Sequence, residues 1–200
     1  LTLVDSLDTL VMMGDINEFE ISVRRIINDL DFNTDIVVSV FETNIRMLGG
    51  LLSAHILAKS IQNKQDQSIR HFNATTRRQL DWYESEMLDL AEDLGRRLLP
   101  AFDTKTGIPH PRVNLKYGME SNELRLVQET CTACAGSLIL EFATLSRLTG
   151  DSIFEEKARQ ALDSIWEHRH RSTDLVGTVL NVESGEWVRR ESGVGAGSDS

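Results

Sequence analysis

Apolar side chains recur at helical spacing along most of this 200-residue sequence. One such segment lies near 19–30, a longer one runs from 38 to 60, and a third runs from 80 to 99, where Pro100 ends it. The apolar residues of each segment lie three and four positions apart, as on the buried face of an amphipathic helix. This pattern predicts a mainly helical fold.

The second half of the chain continues this pattern and adds a hairpin. We expect a helix from 133 to 149, where Gly150 closes it, and a following helix that begins with a capping box of Ser152 and Glu155. The segment 177–190 alternates apolar and polar residues and turns at a Ser-Gly pair, which predicts a small β-hairpin.

Two features of the sequence constrain how these helices are arranged, namely a pair of glycines within one helix and the segments that connect the helices. Gly49-Gly50 lies inside the long apolar segment and costs that helix about 1 kcal/mol per glycine relative to alanine, so we expect another backbone to pack closely there. The segment 61–78 is polar, and prolines make 103–116 a loop. No repeat period is visible, which disfavours a TPR-like array. A toroid of helix pairs around a cavity fits best, although the periodicity alone also allows a plain helical bundle.

The charge balance excludes two classes of partner. Lysine and arginine number 21 against 31 aspartate and glutamate, giving a formal charge of −10. Nucleic acids and anionic membranes both require a basic surface, so neither is an expected partner. The longest strongly apolar stretch, near 47–57, is too short to span a bilayer.

Two sets of charged residues lie within apolar segments. Glu42 and Arg46 are four positions apart and can meet on one helix face, either as an exposed ion pair or as an acid in a pocket beside a guanidinium that orients a ligand hydroxyl. Asp5 and Asp8 lie in a run of Leu and Val, where they would cap helices or accept hydrogen bonds from sugar hydroxyls in a cavity.

Cys131 and Cys134 have the C-x-x-C spacing of a redox pair or of half a zinc site. There is no second C-x-x-C and no clear pair of histidines to complete a zinc site, so zinc is disfavoured.

The closing Gly-rich run lacks the lysine of a phosphate-binding loop, but it can bring Asp199 and backbone amides close to a ligand. Asn73 begins an N-glycosylation sequon in the polar segment.

Five segments together resemble glycoside hydrolase family 47, the class I α-1,2-mannosidases, and within it the ER degradation-enhancing α-mannosidase-like branch. They are LTLVDSLDTLVMMG (1–14), SVFETNIRMLGGLLSAH (39–55), RLLPAFDTKTGIPHPRVNL (97–115), ETCTACAGSLILEFATLSRLTGD (129–151) and SGVGAGSDS (192–200). The resemblance implies an all-α fold with a small β-hairpin, in which residues 1–200 form the N-terminal part of an (α/α)7 barrel. It also implies inverting hydrolysis, a Ca²⁺ at the barrel floor, and residence in the endoplasmic reticulum lumen. The substrate would be mannose on the high-mannose N-glycans of misfolded glycoproteins, trimmed to promote their degradation.

The resemblance also assigns roles to individual residues. Glu42 matches the general acid, Asp199 an essential carboxylate that is a candidate acid or base, and Asp5 and Arg46 sugar-contacting positions. The family's further catalytic glutamate and its Ca²⁺-ligating threonine belong to the C-terminal half. We therefore expect this chain to be a piece cut at both ends from a larger catalytic domain, and to be inactive alone.

Two positions depart from the family pattern. Gly197 stands where ER mannosidase I has an arginine, which favours the degradation-enhancing branch and a different choice of mannose. Cys134 stands where that branch has a glycine. Because the branch is linked to protein disulfide isomerase-type oxidoreductases, we expect Cys131, at a helix start, to be the thiol that engages such a partner and Cys134 to resolve the adduct. The alternatives to this redox role of the cysteines are two inert reduced thiols and a local disulfide.

The alternative to an enzyme is a non-catalytic mannose-binding lectin.

Overall fold

The computed structural model describes residues 1–63 and 80–198, and helices dominate it. The helices are α1 (Thr2–Asp5), α2 (Leu7–Met12), α3 (Ile16–Asp29), α4 (Val40–Thr43), a π-helix (Asn44–Leu48), α5 (Gly49–Gln62), α6 (Glu86–Leu98), a 3₁₀-helix (Leu99–Phe102), α7 (Asn122–Leu126), α8 (Thr132–Gly136), α9 (Ile139–Thr149) and α10 (Ile153–Glu167). The strands are β1 (Val37–Ser39), β2 (Arg112–Asn114), β3 (Glu129–Cys131), β4 (Val179–Asn181) and β5 (Trp187–Arg189).

One hydrophobic core joins the helices. Neighbouring helices pack in pairs, α2 on α3, α5 on α6, and α9 on α10, and α6 also contacts α9. Among the fully buried side chains of this core are Leu7, Phe19, Leu48, Met87 and Phe142. A second, smaller cluster lies under the three-stranded sheet and is formed by Ile108, Ala135, Ile165, Leu180 and Val182. The helices therefore share one main core, and the sheet contributes to a second, smaller one.

Gly50 lies where another backbone packs closely against its helix, as the sequence indicated. A Cβ at this position would lie 2.8 Å from Cγ1 of Val4 and 3.0 Å from the Val4 carbonyl oxygen. The backbone of α1 thus occupies the space that a side chain would need. Gly150 also behaves as expected: it ends α9 with a left-handed φ of 80°, and its N–H donates to the Ser146 carbonyl.

The hairpin is present and belongs to a larger sheet. Strands β4 and β5 pair antiparallel, and Gly185 lies in the turn with φ of 73°. Strand β3 pairs antiparallel with β4 on its other side, and this third strand was not predicted. A separate antiparallel pair joins β1 to β2, so the expected loop over 103–116 contains a short strand.

Several helix boundaries differ from the prediction. The segment expected as one helix from 38 to 60 begins inside β1, because Val37 and Val38 pair with β2, and it then passes through the π-helix. The helix expected over 133–149 is divided into α8 and α9. Ser137 lies at the break, and its hydroxyl donates to the Ala133 carbonyl four residues earlier, as helix-interior serines do where they compete with the backbone.

The predicted capping box at Ser152 is wrong. The Ser152 hydroxyl donates to the Glu156 carboxylate at 2.6 Å and makes no cap bond. The first N–H groups of α10 are satisfied by other side chains: Asp151 accepts from Ile153 at 3.1 Å, and the Ser146 hydroxyl accepts from Glu155 at 2.8 Å. Ser146 belongs to α9, so a neighbouring helix supplies the cap that a local pattern had predicted.

In the described ranges, no helix is long and apolar enough to cross a membrane.

Candidate active site

Glu42 and Arg46 form an ion pair at the start of the apolar helical segment. Ser39 ends β1 and caps α4, because its hydroxyl accepts a hydrogen bond from the Glu42 N–H at 3.4 Å. Arg46 Nε lies 2.8 Å from Glu42 Oε2, and the two side chains are 47% and 54% exposed. Of the two alternatives that the spacing allowed, the structure therefore has the exposed ion pair.

The backbone between these two residues changes from an α-helix to a π-helix. Asn44, in the first turn of the π-helix, is fully buried, and its Nδ2 donates to Glu141 Oε2 at 2.7 Å. Its Oδ1 is buried too and has no hydrogen-bond partner among the residues described. π-Helical turns are frequent at functional sites. The turn that presents Arg46 to Glu42 is thus tied by a polar contact to a distant helix.

Glu141 is a half-buried carboxyl that the sequence analysis did not single out. It lies on α9 and, with Gly49, lines a small cavity of about 210 Å³. Burial raises the pKa of its carboxyl, while the hydrogen bond from Asn44 opposes that shift. A glutamate within the apolar run ILEFATL was the signal that could have identified it.

Asp5 is exposed at the end of α1, which packs against the π-helix and α5. In the part of the chain that the structure describes, its side chain forms no hydrogen bond or ion pair with Glu42 or Arg46. The capping interpretation of Asp5 and Asp8 is wrong, because α1 and α2 have no side-chain cap. A sugar-contacting role for Asp5 stays a prediction.

The two cysteines are bonded to each other. The Cys131–Cys134 disulfide has a Cα–Cα distance of 4.9 Å, and Cys131 Sγ also accepts the Cys134 N–H at 3.0 Å. Cys131 thus ends β3 and caps α8. Of the three alternatives, the structure has the local disulfide, and neither sulfur is a free thiol in this state.

Two of the proposed residues lie outside the described ranges, namely Asp199 and Asn73. The Gly-rich segment before Asp199 is described as far as Ser198. The Gly197 carbonyl accepts a hydrogen bond from the Ala133 N–H at 2.9 Å, which places this segment on the first turn of α8.

A cavity of about 790 Å³ lies elsewhere, between the end of α10 and the sheet. Its lining includes His168, Arg169 and Trp187 but none of Glu42, Arg46 or Asp5. We place the candidate site at Glu42 despite this larger cavity, because the chemistry of an acid beside a guanidinium is found there. No group of three or more metal-ligating side chains occurs among the residues that are described.

The whole chain, residues 1–200, matches the sequence profile of glycosyl hydrolase family 47. The chain therefore belongs to this family of glycosidases. It is similar over its full length to ER degradation-enhancing alpha-mannosidase-like protein 3 of Homo sapiens, with 54% identity over 202 residues and coverage of 20% of that protein. Alpha-mannosidase I MNS4 of Arabidopsis thaliana is 47% identical over 200 residues, and 29% of it is covered.

A solved structure, the alpha-1,2-mannosidase from Trichoderma reesei, has the same fold. It superposes with a TM-score of 0.75 at 28% identity, over 99% of this chain and 39% of the other. The fold is thus part of an (α/α)7 barrel, as expected. The chain spans about a fifth to a third of the length of the curated relatives named above.

Proposed function

We propose that the protein to which this chain belongs is an α-1,2-mannosidase. It trims mannose from high-mannose N-glycans of misfolded glycoproteins in the endoplasmic reticulum lumen and so promotes their degradation. The observation that carries the proposal is the Glu42–Arg46 pair, held at a strand-to-helix junction in a glycosyl hydrolase family 47 chain. The names of the similar proteins, which refer to mannosidase activity and to ER degradation, support the substrate class and the compartment.

The proposed reaction is an inverting hydrolysis that uses two carboxyl groups. Glu42, when protonated, donates its proton to the leaving glycosidic oxygen, and Asp199 accepts a proton from the attacking water. Arg46 contacts Glu42 through Nε, and a guanidinium carries further N–H donors that suit sugar hydroxyls. Asp5 accepts from a hydroxyl of the same sugar.

The resemblance implies a Ca²⁺ whose threonine ligand belongs to the C-terminal half of the family's domain. Within 1–63 and 80–198, no three His, Cys, Asp or Glu side chains gather as they would around a metal ion. We therefore propose that the ion is bound by the C-terminal part of the barrel, and we assign none of the steps above to it. Calorimetric titration of the full-length chelated protein with Ca²⁺ tests this, since no heat of binding would contradict it.

The test of the acid is Glu42→Gln in the full-length protein. We expect mannose release to fall about 10²–10⁴-fold, the usual contribution of a general acid, while binding of the glycan persists. Glu155→Gln is the matched control, because Glu155 and Arg159 form another i,i+4 pair at 2.7 Å on a partly exposed helix face, outside the site. Equal turnover in the Glu42 variant and the control would remove Glu42 from the role.

A proton NMR time course of the released sugar tests the stereochemistry, and inversion predicts β-mannose as the first product. A wild-type protein that binds the glycan without releasing mannose would instead identify a mannose-binding lectin.

We also propose that a disulfide isomerase-type oxidoreductase engages the chain at Cys131 by thiol–disulfide exchange. A partner thiolate would attack Cys131 Sγ, break the Cys131–Cys134 bond and leave Cys134 as the thiolate, which resolves the mixed disulfide by the reverse attack. Both cysteines are half-buried, so the bond is partly accessible. Non-reducing electrophoresis after acid trapping should show an adduct that Cys131→Ser abolishes. In Cys134→Ser the Cys131 thiolate attacks the disulfide of an oxidised partner and displaces one partner sulfur as a thiolate, so the mixed disulfide forms without a resolving thiol in this chain and accumulates. Unaltered adducts in both variants would contradict the assignment.

A further inference from the structure

Glu141 of α9 contacts the π-helix that carries Arg46 at both of its ends. At the first residue of the π-helix, Asn44 Nδ2 donates to Glu141 Oε2 at 2.7 Å. Just after the last residue, a Cβ at Gly49 would lie 3.5 Å from Glu141 Cγ and 3.7 Å from Glu141 Oε1. The Gly49 N–H also donates to the Asn44 carbonyl, which closes the turn. The Glu141 side chain therefore lies across the turn, with one carboxylate oxygen on Asn44 and the other near Gly49.

The Asn44 side chain is poorly suited to a position that serves packing alone. It is 0% exposed, and its Oδ1 has no hydrogen-bond partner among the residues described. A buried acceptor without a donor costs free energy that an apolar side chain of similar size would not. Polar groups of this kind are expected where a functional site constrains the sequence. The contact from Nδ2 to Glu141 therefore gives the reason for an amide at this position.

The conformation of this turn determines where the Arg46 guanidinium lies. Arg46 follows Asn44 by two positions, and its Nε lies 2.8 Å from Glu42 Oε2. Both side chains of the pair are about half exposed, and exposed ion pairs of this kind contribute little to holding a backbone in place. Among the described residues, the side-chain hydrogen bond that ties the π-helix to another element is the one between Asn44 and Glu141. The backbone that carries the pair is thus held by a contact that lies partly in the core.

We propose that Glu141 is a positioning residue, which holds the π-helical turn through Asn44 and so keeps Arg46 and Glu42 in the geometry for proton donation. The inference rests on the proposed function, because Glu42 is the acid of that reaction. Glu141 acts through Asn44 and does not itself touch the substrate. A displacement of about 1 Å is enough to slow a reaction by about 10²-fold, so a small shift of this turn would reduce turnover.

The test exchanges the donor and the acceptor of this contact in the full-length protein. Asn44→Asp removes the Nδ2 donor and places a second carboxyl group against Glu141, where two like charges disfavour each other. The double variant Asn44→Asp, Glu141→Gln restores the contact, because the glutamine amide can donate to the new carboxylate. Glu20→Met is the matched control: it breaks another hydrogen bond between distant parts of the chain, from Trp82 Nε1 to Glu20 Oε1 at 2.9 Å, away from the site.

We expect kcat per folded molecule to fall about 10- to 100-fold in Asn44→Asp and to return to within about threefold of wild type in the double variant. Glu20→Met should lower the urea midpoint of unfolding and keep the wild-type kcat. If Asn44→Asp does not fold, Glu141→Met carries the same expectation, because it removes the acceptor without adding a charge. An equal loss of kcat in Glu20→Met, or no recovery in the double variant, would overturn the positioning role. If Glu42→Gln loses turnover while Asn44→Asp keeps it, the positioning role fails and the proposed function stands.

A second measurement does not depend on activity. The Gly49 amide, which closes the π-helical turn, should exchange its hydrogen faster in Asn44→Asp than in the wild type. Its exchange should return toward the wild-type rate in the double variant and be unchanged in Glu20→Met. If the wild-type protein releases no mannose, the proposed hydrolase function fails, but this exchange still decides whether Glu141 holds the turn. Equal Gly49 exchange in all four proteins would overturn the inference.

Discussion

Asn44 is buried inside an otherwise apolar helix face, and its partner Glu141 lies 97 positions further along the chain. The Glu42–Arg46 pair could be predicted from the sequence because it is local and depends only on helical spacing. The Asn44–Glu141 contact could not, because it depends on how α9 packs beside the π-helix. The sequence alone therefore identifies those polar residues of the site that contact each other within one helical segment.

A second buried polar pair makes the stability of the fold depend on pH. His55 Nδ1 lies 2.7 Å from the Tyr83 hydroxyl, and burial, with a smaller contribution from Lys59, lowers the pKa of His55, while Asp89 opposes the shift. The unfolded chain, with an ordinary histidine pKa of about 6.5, binds this proton at higher pH than the folded chain. The stabilisation is thus fully present above about pH 6.5 and is lost as the pH falls below that value.

We expect His55→Gln to reduce this loss, because glutamine can hydrogen-bond to Tyr83 without titrating. The contribution of one proton is at most about 1.4 kcal/mol of unfolding free energy per pH unit. Urea unfolding between pH 5 and 8 measures it, with His170→Gln as the control at an exposed position. Identical pH profiles for the wild type and His55→Gln would exclude His55 as the source.

At the scale of elements, amphipathic periodicity predicted helices well and their boundaries less well. Met87, Ala91, Leu94 and Leu98 are all fully buried on α6, as their spacing indicated. Two of the differences involve partners from other elements: β2 pairs with β1 ahead of α4, and Ser146 of α9 accepts a hydrogen bond from Glu155 at the start of α10. A short stretch of sequence shows the helical spacing of its own residues, but it does not show which residues of other elements will contact it.

Gly49 and Gly50 provide a matched pair for testing helix packing. Gly50→Ala should lower the free energy of unfolding by about 1–3 kcal/mol, because the methyl group would overlap Val4, including its backbone oxygen. Gly49→Ala meets its nearest atom, Glu141 Cγ, at 3.5 Å, so it should gain up to about 1 kcal/mol of helix propensity. Denaturant titration of both variants checks the prediction, and a stabilised Gly50 variant would contradict it.

At the scale of the whole molecule, this chain presents large apolar side chains that a complete barrel would cover. Leu140 is 73% exposed on α9 and Leu126 is 78% exposed at the end of α7. Apolar surface in water costs about 25 cal/mol per Å². We expect further helices of a complete (α/α)7 barrel to pack against these side chains.

Residues 1–200 expressed alone should therefore associate and should release no mannose. Sedimentation velocity over a range of concentrations measures the association, and incubation with a high-mannose glycan measures the activity. The full-length protein is the positive control. A monomer that unfolds cooperatively and releases mannose would show that this part of the barrel suffices by itself.

The pairing of β1 with β2 has a consequence for the order in which the protein is made. The helix that carries Glu42 is anchored through Ser39 to Arg112, and the adjoining turn through Asn44 to Glu141. A ribosome adding about 5–20 residues per second needs about 5–20 s to pass from the first of these partners to the last. During that interval Glu42 has been synthesised, but the residues that anchor its helix and the adjoining turn have not all been added. The contacts that hold the helix of Glu42 and the adjoining turn in the fold are thus completed late in synthesis, by residues up to almost a hundred positions downstream.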